Sequence, residues 1–432
     1  MSNKVYIETY GCSFNVADGE AMAGVLDRAG HRLVDQPDAA DVIILNTCTV
    51  KDRTFRNFEK RFRGLREAAR SGSGPQVVLA GCIPKAHERS DMFEGVSSIG
   101  PDTIDRLDEV VRETAAGRVA QRLRRSSNEP AEPDRLRLPS LRRNPLVEVL
   151  PISSGCMSAC GFCQTRLARG RLRSFPPGDI LRKVHQAVEE GVREIWLTSQ
   201  DTGAYGKDCD WPLPRLLRRI CEIEGDFRVR LGMSSPQWIE QDLEAYLDAF
   251  EHPRMFRFLH VPVQSGSRRV LEEMRRGHGV GEFERVCDGF RARFPDACLM
   301  TDVIAGFPTE RDEDFEATLD LLARVRPAAV NRSKFSPRPG TAAARLRALP
   351  DHVLTERSRR LDATVRGLAH AYHRQWVGRS ERVLTFEYKN ERTTLAHNRC
   401  WRPVVLEGRH ALAQWVEVQY TGAGDFHLLA TP

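Results

Sequence analysis

Cys156, Cys160 and Cys163 form a C-x3-C-x2-C triplet directly after the apolar run Val147-Glu148-Val149-Leu150-Pro151-Ile152. Thiolates this close along a chain can converge on one metal centre from a single loop. Three of them ligate three irons of a [4Fe–4S] cluster, which normally takes four cysteines, so one iron is left open for a substrate or cofactor. Phe162, beside Cys163, can shield such a cluster on one side. Structural zinc and unconnected free thiols are the competing assignments. Zinc favours four ligands in paired C-x2-C clusters, and no second pair lies nearby, so ligand number favours iron–sulfur. Cys12, Cys48 and Cys82 form a second, dispersed trio.

The elements that must position these thiols can be read from periodicity. Residues 4–8, 41–46 and 76–80 read as strands, and residues 19–29 and 52–70 as helices. A βαβ series implies a parallel sheet with helical crossovers, whose ligands collect at the carboxyl ends of the strands. Cys12, Cys48 and Cys82 each follow a strand there. Buried cysteines are common in sheet cores, but three at equivalent strand ends favour a second cluster site. Residues 118–145 break the pattern with Arg122, Arg124, Arg125, Arg135, Arg137, Arg142 and Arg143 among Ser, Pro, Asn and Glu. They read as a basic linker or mobile segment, whether solvated or touching nucleic acid.

Strand–helix alternation resumes at residue 146. Candidate strands cover 147–152, 194–198, 228–232, 257–261, 299–304 and 330–335, with helical patterns at 178–190, 214–223, 240–250, 267–276 and 311–325. Six βα units predict a partial or full α/β barrel with its chemistry at the carboxyl-terminal rim, where the triplet falls. A helical stretch over 351–372 leads to an all-β tail of OB-like size, with strands at 383–388 and 415–420. The expected α/β chain thus has a Rossmann- or flavodoxin-like parallel-sheet domain (1–117), the linker (118–145), a partial (β/α)6 barrel with a trailing helix (146–375) and a small β-barrel (376–432).

The chain has 432 residues, 41% of them apolar and 29% charged, with net charge +6 and eleven cysteines. That suits two or three domains with real cores and metal chemistry in a reducing compartment. The first residues contain no apolar h-region and no stretch reaches the roughly 20 apolar residues of a membrane span. A cytoplasmic protein with no membrane partner is expected.

The triplet resembles the signature of the radical S-adenosylmethionine (SAM) superfamily, and the modules together resemble its methylthiotransferase branch. The similarity is carried by Gly11-Cys12 with Asn15 and Asp18, Asn46-Thr47-Cys48-Thr49-Val50 and Ala80-Gly81-Cys82, then by the barrel, and by a tail that looks like a TRAM domain. The run from Glu194 to Gly206, Leu231-Gly232-Met233, and the run from Phe258 to Ser265 are most similar to the archaeal and eukaryotic type. Enzymes of that type methylthiolate N6-threonylcarbamoyladenosine at position 37 of tRNA. Small departures from the pattern are Gly19 for a common serine, Ser199 for a glycine, and Thr309 for a glycine; none removes a metal ligand.

The resemblance implies two [4Fe–4S] clusters and SAM. Cys156, Cys160 and Cys163 would hold the cluster that binds and cleaves SAM. The resulting 5′-deoxyadenosyl radical would take hydrogen from C2 of the adenine, and the Cys12/Cys48/Cys82 cluster would present the methylated sulfur. Through the same match, Gln200 and Asp201 are expected at the methionine ammonium, and Arg230 at its carboxylate. His260, Gln264 and Ser265 are expected at the ribose, and Ile304 and Gly306 at the adenine. Trp196 and Trp238 are expected to pack. The remaining cysteines are expected to be ordinary thiols. The RNA partner is an anticodon loop, met in the tail by Arg399, Trp401 and Arg402 beside His397 and Asn398, with Tyr388 and Lys389 nearby, and by the basic helix 52–70 (Arg53, Arg56, Lys60, Arg61, Arg63 and Arg66). A low-potential donor such as flavodoxin or ferredoxin would supply electrons. Competing readings are methylthiolation of isopentenyladenosine or of a ribosomal-protein aspartate, and a non-catalytic RNA-binding module with a structural metal.

Overall fold

A computed structural model describes residues 2–49, 52–71, 74–87, 90–125 and 135–432, without the side chains of 52–54. Val50, the Arg53 side chain and residues 126–134 of the basic stretch therefore lie outside the described residues. The first unit runs β1 (Lys4–Thr9), α1 (Ser13–Arg28), β2 (Arg32–Leu33), β3 (Val42–Thr47), α2 (Asp52–Arg70), β4 (Gln76–Gly81), α3 (Cys82–Ala86), β5 (Ser97–Ile99), α4 (Leu107–Ala115) and β6 (Gln121–Arg122). Its six strands are parallel, in the order 2-1-3-4-5-6. Alternate residues of the central strands serve opposite faces. Ile44, Val78 and Ala80 meet α1 and α4, whereas Ile43, Leu45 and Leu79 meet Phe58 and Phe62 of α2.

Two features of this unit differ from the sequence reading. Helix α1 begins at Ser13, six residues earlier than expected, with Cys12 as its extended N-cap. Its first turns bury Asn15 and Asp18 beside Phe14 and Ala17, and polar residues on a buried face hide the helical period. The last strand, β6, comes from the stretch read as linker, most of whose described arginines are paired. Arg122 meets Glu109, Arg125 meets Asp105, Arg135 meets Asp18, Arg137 meets Asp179, and Arg142 meets Glu148 and Glu190.

The central unit comprises β7 (Val147–Pro151), β8 (Ser153–Ser154), α5 (Thr165–Arg169), β9 (Arg173–Ser174), α6 (Pro177–Glu189), β10 (Glu194–Thr198), α7 (Leu213–Cys221), β11 (Arg228–Leu231), α8 (Pro236–Glu240), α9 (Leu243–Phe250), β12 (Phe258–His260), α10 (Arg268–Glu273), α11 (Val280–Arg293), β13 (Cys298–Ala305), α12 (Asp312–Val325) and β14 (Ala329–Lys334). The parallel strands form two sheets, 7-10-11 and 12-13-14, joined by a bridge between Val229 and Met255. The result is an open six-stranded half-barrel. Outward residues such as Ile195, Leu197, Val229 and Leu259 form one core with the helices. Val147, Val149 and Trp196 pack instead against Val16 and Ala17 of α1, so the first unit covers this side of the half-barrel. Helix α11 was not anticipated. Its core residues Phe283, Val286, Cys287 and Phe290 keep helical spacing, but Gly281 and Gly289 interrupt it with poor helix formers.

Helix α13 (Asp351–Arg374) leads to a closed five-stranded barrel of β15 (Ser380–Asn390), β16 (Thr393–His397), β17 (Pro403–Glu407), β18 (Trp415–Ala423) and β19 (Leu428–Thr431), in the order 15-16-17-19-18. This barrel shares a core with Phe256, Phe258, Cys298 and Ala328, at the amino ends of the half-barrel strands. Buried His397 hydrogen-bonds Glu194 at 2.8 Å and stacks on Phe386 at 4.1 Å. No helix among the described residues is long and apolar enough to cross a membrane.

The α13–tail junction predicts a pH dependence. His373 is fully buried, and Arg402 Nε donates to its Nε2 at 3.0 Å. Burial, with Arg402 alongside, pushes its pKa down to about 3. Unfolded histidine titrates near 6.5, so below that pH the unfolded chain takes up the extra proton and stability falls. Between pH 6.5 and 5 this group should remove about 2 kcal/mol. Urea unfolding of the wild type at the two pH values should show that loss, and His373→Asn should flatten the slope.

Candidate active site

The N-terminal thiols gather where β1, β3 and β4 end. Cys48 follows β3 directly, Cys82 opens α3, and Cys12 caps α1. Cys48 and Cys82 are buried and Cys12 is exposed. Asn15 ties the loops together. Its amide nitrogen donates to Tyr10 O at 3.0 Å and Thr47 O at 2.7 Å. Its amide oxygen faces the sulfurs of Cys12 at 3.9 Å and Cys82 at 4.0 Å. Thr47 Oγ1 extends the tie by donating to Ala80 O at 2.6 Å and accepting from Ile83 N at 3.3 Å. Gly11 has φ +107°, and a Cβ there would lie 2.2 Å from Cys48 Cβ, so only glycine admits Cys48. At Gly19 a Cβ would lie 2.5 Å from Thr9 Oγ1, a side-chain atom that would have to turn aside. A hydrogen bond from Cys48 draws the Cys12 thiol down to about 6.

The second thiol set occupies the loop between β8 and α5. The loop is stitched on both sides by its own backbone. Gly161 N donates to Met274 O at 2.9 Å, Ala343 N donates to Gly161 O at 2.8 Å, and Cys156 N donates to Gly170 O at 3.3 Å. Arg276 Nη1 donates to Cys160 Sγ at 3.3 Å, while its buried Nε has no partner. Phe162 turns into the core with Met274, Phe307 and Phe335, so it anchors the loop rather than standing over the thiols. Burial, with Asp201 nearby, pushes the Cys156 thiol up to about 12. A thiol so raised stays protonated until a metal replaces the proton.

Arg169 joins the two sets. It closes α5, six residues after Cys163, and its side chain is 3% exposed. Nε donates to Cys82 Sγ at 3.3 Å, and Nη2 donates to Asn15 Oδ1 at 3.2 Å and to the Asp18 carboxylate. The guanidinium lies 4.1 Å from the centre of the Phe14 ring. Gln164 adds a second link, donating to Pro339 O at 2.7 Å and bonding His87 at 3.1 Å. Sequence reasoning missed both Arg169 and Arg276; an arginine is too common near a loop to stand out without coordinates.

Among the described residues no three His, Cys, Asp or Glu side chains converge tightly enough to hold a single metal ion. Sulfurs around one tetrahedral zinc stand about 4 Å apart, given Zn–S near 2.3 Å. Thiolates on a cube each take a separate iron, so they stand wider apart. Three cysteine thiols on one loop, Cys156, Cys160 and Cys163, are the donor number that leaves one iron of a cube without a cysteine.

The expected SAM contacts separate into two groups. Gln200 has a buried Oε1 with no partner, at the carboxyl end of β10. His260 Nε2 is held by Asp302 at 3.1 Å, and Asp302 also accepts from Asn331 at 2.8 Å. Gln264 adopts φ +75°, its N–H on Asp302 O and its carbonyl on Ile304 N. Such strain in a non-glycine residue is a mark of functional loops. These residues and Ile304 share the rim with the cysteine triplet.

The others are engaged by protein neighbours. Asp201 accepts from Ser235 N and Trp238 Nε1, each at 3.0 Å, so both oxygens are engaged. Ser265 is fully buried, accepting from Ser267 N at 3.2 Å and facing Thr318 at 3.5 Å. Gly306, with φ +78°, faces Leu354, whose Cδ2 stands 2.0 Å from where a Cβ would be. Arg230 lies lower in the half-barrel, 4.5 Å from the Trp401 ring centre and 5.0 Å from that of Phe258. Burial draws its pKa down to about 10, and its Nε has no partner.

The tail residues expected on RNA also need correction. Trp401, at φ +56°, wedges between Trp196, Phe258 and His397, with ring centres at 5.4, 4.8 and 5.4 Å. Arg402 is buried on His373, and His397 and Asn398 are buried too. Arg399 is exposed but pairs with Asp296 at 2.7 Å. On the open face of the tail, Arg409 lies 4.2 Å over the Tyr388 ring, and Lys389 is exposed. On α2, Arg61 pairs with Glu8 and Arg66 binds the Met92 and Glu94 carbonyls, leaving Lys60 and Arg63 exposed.

Residues 150–322 match the family described as the radical SAM superfamily, and residues 4–98 match the uncharacterized protein family UPF0004. The threonylcarbamoyladenosine tRNA methylthiotransferase of Danio rerio is 40% identical over 99% of this chain and 78% of its own length. The probable threonylcarbamoyladenosine tRNA methylthiotransferase of Pyrococcus horikoshii is 38% identical over 99% of this chain and 98% of its own length. Among solved structures, the radical SAM methyltransferase TsrM of Kitasatospora setae, with tryptophan and a SAM analogue bound, superposes with TM-score 0.57 at 16% identity. That match covers 79% of this chain and 75% of TsrM.

The cysteine loop yields a prediction. Gly155 has φ +79°, and a Cβ there would lie 1.9 Å from Arg171 O, whereas the nearest atom to a Cβ on Gly161 is 3.7 Å away. Gly155→Ala should lose the iron bound by this loop, and Gly161→Ala should keep it. Iron content after anaerobic reconstitution distinguishes the two.

Proposed function

The chain belongs to the threonylcarbamoyladenosine tRNA methylthiotransferases of the radical SAM superfamily, and from this premise we propose that it inserts a methylthio group at C2 of N6-threonylcarbamoyladenosine at position 37 of tRNA. The observation that carries the reading is the pair of cysteine trios, linked through Arg169. We assign Cys156, Cys160 and Cys163 to one [4Fe–4S] cluster and Cys12, Cys48 and Cys82 to a second. When bound, the clusters and SAM supply the radical and sulfur chemistry needed at an aromatic C–H, which acid–base side chains cannot break.

This chain's residues do the positioning. Gln200, with its free buried carbonyl, suits the methionine ammonium of SAM. His260, held by Asp302, presents a fixed ring edge to a ribose hydroxyl. Gln264 and Ile304 frame the same end of the half-barrel through their mutual backbone bond. Linking the two cysteine loops through Arg169 serves the demand for proximity between the two reactive centres. Electrons come from a low-potential protein donor.

For the anticodon loop we propose the rim in place of Trp401 and Arg402. Arg171, Arg275, Arg345 and Arg347 are exposed, and Arg166 is half-exposed, with no carboxylate partner among the described residues. Arg166 and Arg171 flank the end of the cysteine loop, and Arg275 and Arg345 follow Met274 and Ala343, which bond Gly161. Exposed Met157, Leu167 and Leu346 lie among them and offer apolar surface to an unstacked base. The Tyr388–Arg409 face of the tail extends the track.

Two experiments test this. Turnover on threonylcarbamoylated and isopentenylated anticodon stem–loops, read by nucleoside mass spectrometry, should show 2-methylthio product on the first; product on the second alone refutes the substrate. RNA affinity should fall by on the order of 10³ between 50 and 200 mM salt if six phosphates are engaged. Arg345→Ala/Arg347→Ala should reduce that slope, while Trp401→Phe should leave it unchanged.

A further inference from the structure

The N-terminal trio borrows a side chain from the other cysteine loop. Arg169 belongs to α5, which continues directly from Cys156–Cys163, yet its guanidinium is spent on the first unit. Nε donates to Cys82 Sγ at 3.3 Å, and Nη2 divides between Asn15 Oδ1 and Asp18. The ring of Phe14 covers the guanidinium. Asp18 is fully buried and is also met by Arg135, so the pairing of its charge does not rest on Arg169 alone. The hydrogen bond to sulfur is therefore a separate task from neutralising the carboxylate. Its direction matters too. An N–H aimed at a ligand sulfur stabilises the more negative, reduced state of a cluster, and such bonds help set cluster potentials.

Building on the two-cluster reading above, we infer that Arg169 is the positioning residue of the N-terminal cluster: its Nε–H holds the Cys82 sulfur, raises that cluster's reduction potential and registers it against the barrel's cysteine loop. Arginine suits this task because its rigid fork serves a sulfur and a carboxylate in one plane, which a lysine ammonium cannot reproduce. Arg169 lies outside both cysteine trios and outside the SAM-facing group, and gives the Cys156–Cys163 loop a second duty, that of completing its neighbour's surroundings.

The test isolates the N-terminal site in the full chain by replacing Cys156, Cys160 and Cys163 with alanine. After anaerobic reconstitution, that parent should hold about four irons, the content of one cube. Two variants of this parent are compared with it. Arg169→Lys keeps the charge and loses the fork; Arg169→Met with Asp18→Asn removes one charge of each sign, which leaves the local net charge unchanged and gives Arg135 an amide oxygen to donate to in place of the carboxylate. Both should retain iron, and both should show a lower midpoint potential in an EPR-monitored titration. Midpoints equal to the parent's overturn the inference while leaving the two-cluster reading intact. A parent that binds no iron overturns the two-cluster reading and the inference together. Loss of iron from the Met/Asn variant with retention in Arg169→Lys overturns the assignment of the effect to the hydrogen bond.

Discussion

A carboxylate with no exposure constrains this molecule more than any other group. Asp18 sits inside, on the second turn of α1, and a buried charge left unpaired costs several kcal/mol. Its partners come from elsewhere in the chain: Arg135 from the segment after β6, and Arg169 from the cysteine loop of the half-barrel. Satisfying Asp18 therefore brings three distant stretches to one point. That point lies beside the sulfurs of Cys12 and Cys82, because Asn15, one turn earlier, faces both. The polar residues that spoil the apolar pattern of α1 are the ones that assemble the site. Fold and chemistry share the same three or four side chains here, so a change to one is a change to the other.

The opposite end of the half-barrel obeys a different logic. Where Asp18 needs cations, Arg230 has no carboxylate and lies among aromatic rings from two units. A desolvated guanidinium over tryptophan gains about 2 kcal/mol from the ring quadrupole. Trp401 reaches it from the small barrel, so the tail forms the floor of the half-barrel, together with the Glu194–His397 bond. The small barrel is thus part of the half-barrel's own packing. Tyr388 and Arg409, stacked on one another, and exposed Lys389 take no part in that packing.

The parts of the fold with clean periodicity were legible in the sequence. Strand 194–198 and helix 52–70 stand where their patterns put them, because alternation or a 3.6-residue stripe had nothing to compete with. The order of the three modules was legible for the same reason. Helix α11 was hidden by its glycines, and the start of α1 by its buried polar residues. At the site, the cysteines could be found because spacing and strand-end position are sequence properties. Asp201, Ser265 and Gly306 were placed at the cofactor by motif position, yet orientation is decided by neighbours far along the chain: Trp238 and Ser235 for one, Thr318 for the next, Leu354 for the last. Trp401 between arginines looked like a stacking platform, since sequence carries no record of which face a loop turns inward.

The distribution of arginine follows from these constraints. The chain holds 65 basic and 59 acidic residues, and the arginines of the 118–145 stretch are largely absorbed by carboxylates in the described residues. A basic stretch in sequence is therefore no guide to a basic surface. Around the cysteine loop Arg166, Arg171, Arg275, Arg345 and Arg347 have no carboxylate partner among the described residues, and exposed Met157, Leu167 and Leu346 lie near them in sequence. Unpaired cations there cost the fold little, because they remain hydrated, and they keep their whole charge for an anionic partner. A net charge of only +6 can thus coexist with a strongly attracting mouth. The same economy explains why Arg169 and Arg276, which face sulfur, are buried or half-buried while Arg166, Arg171 and Arg275 stand more open beside them: the inner arginines hold the thiols, and the outer ones remain available to phosphate.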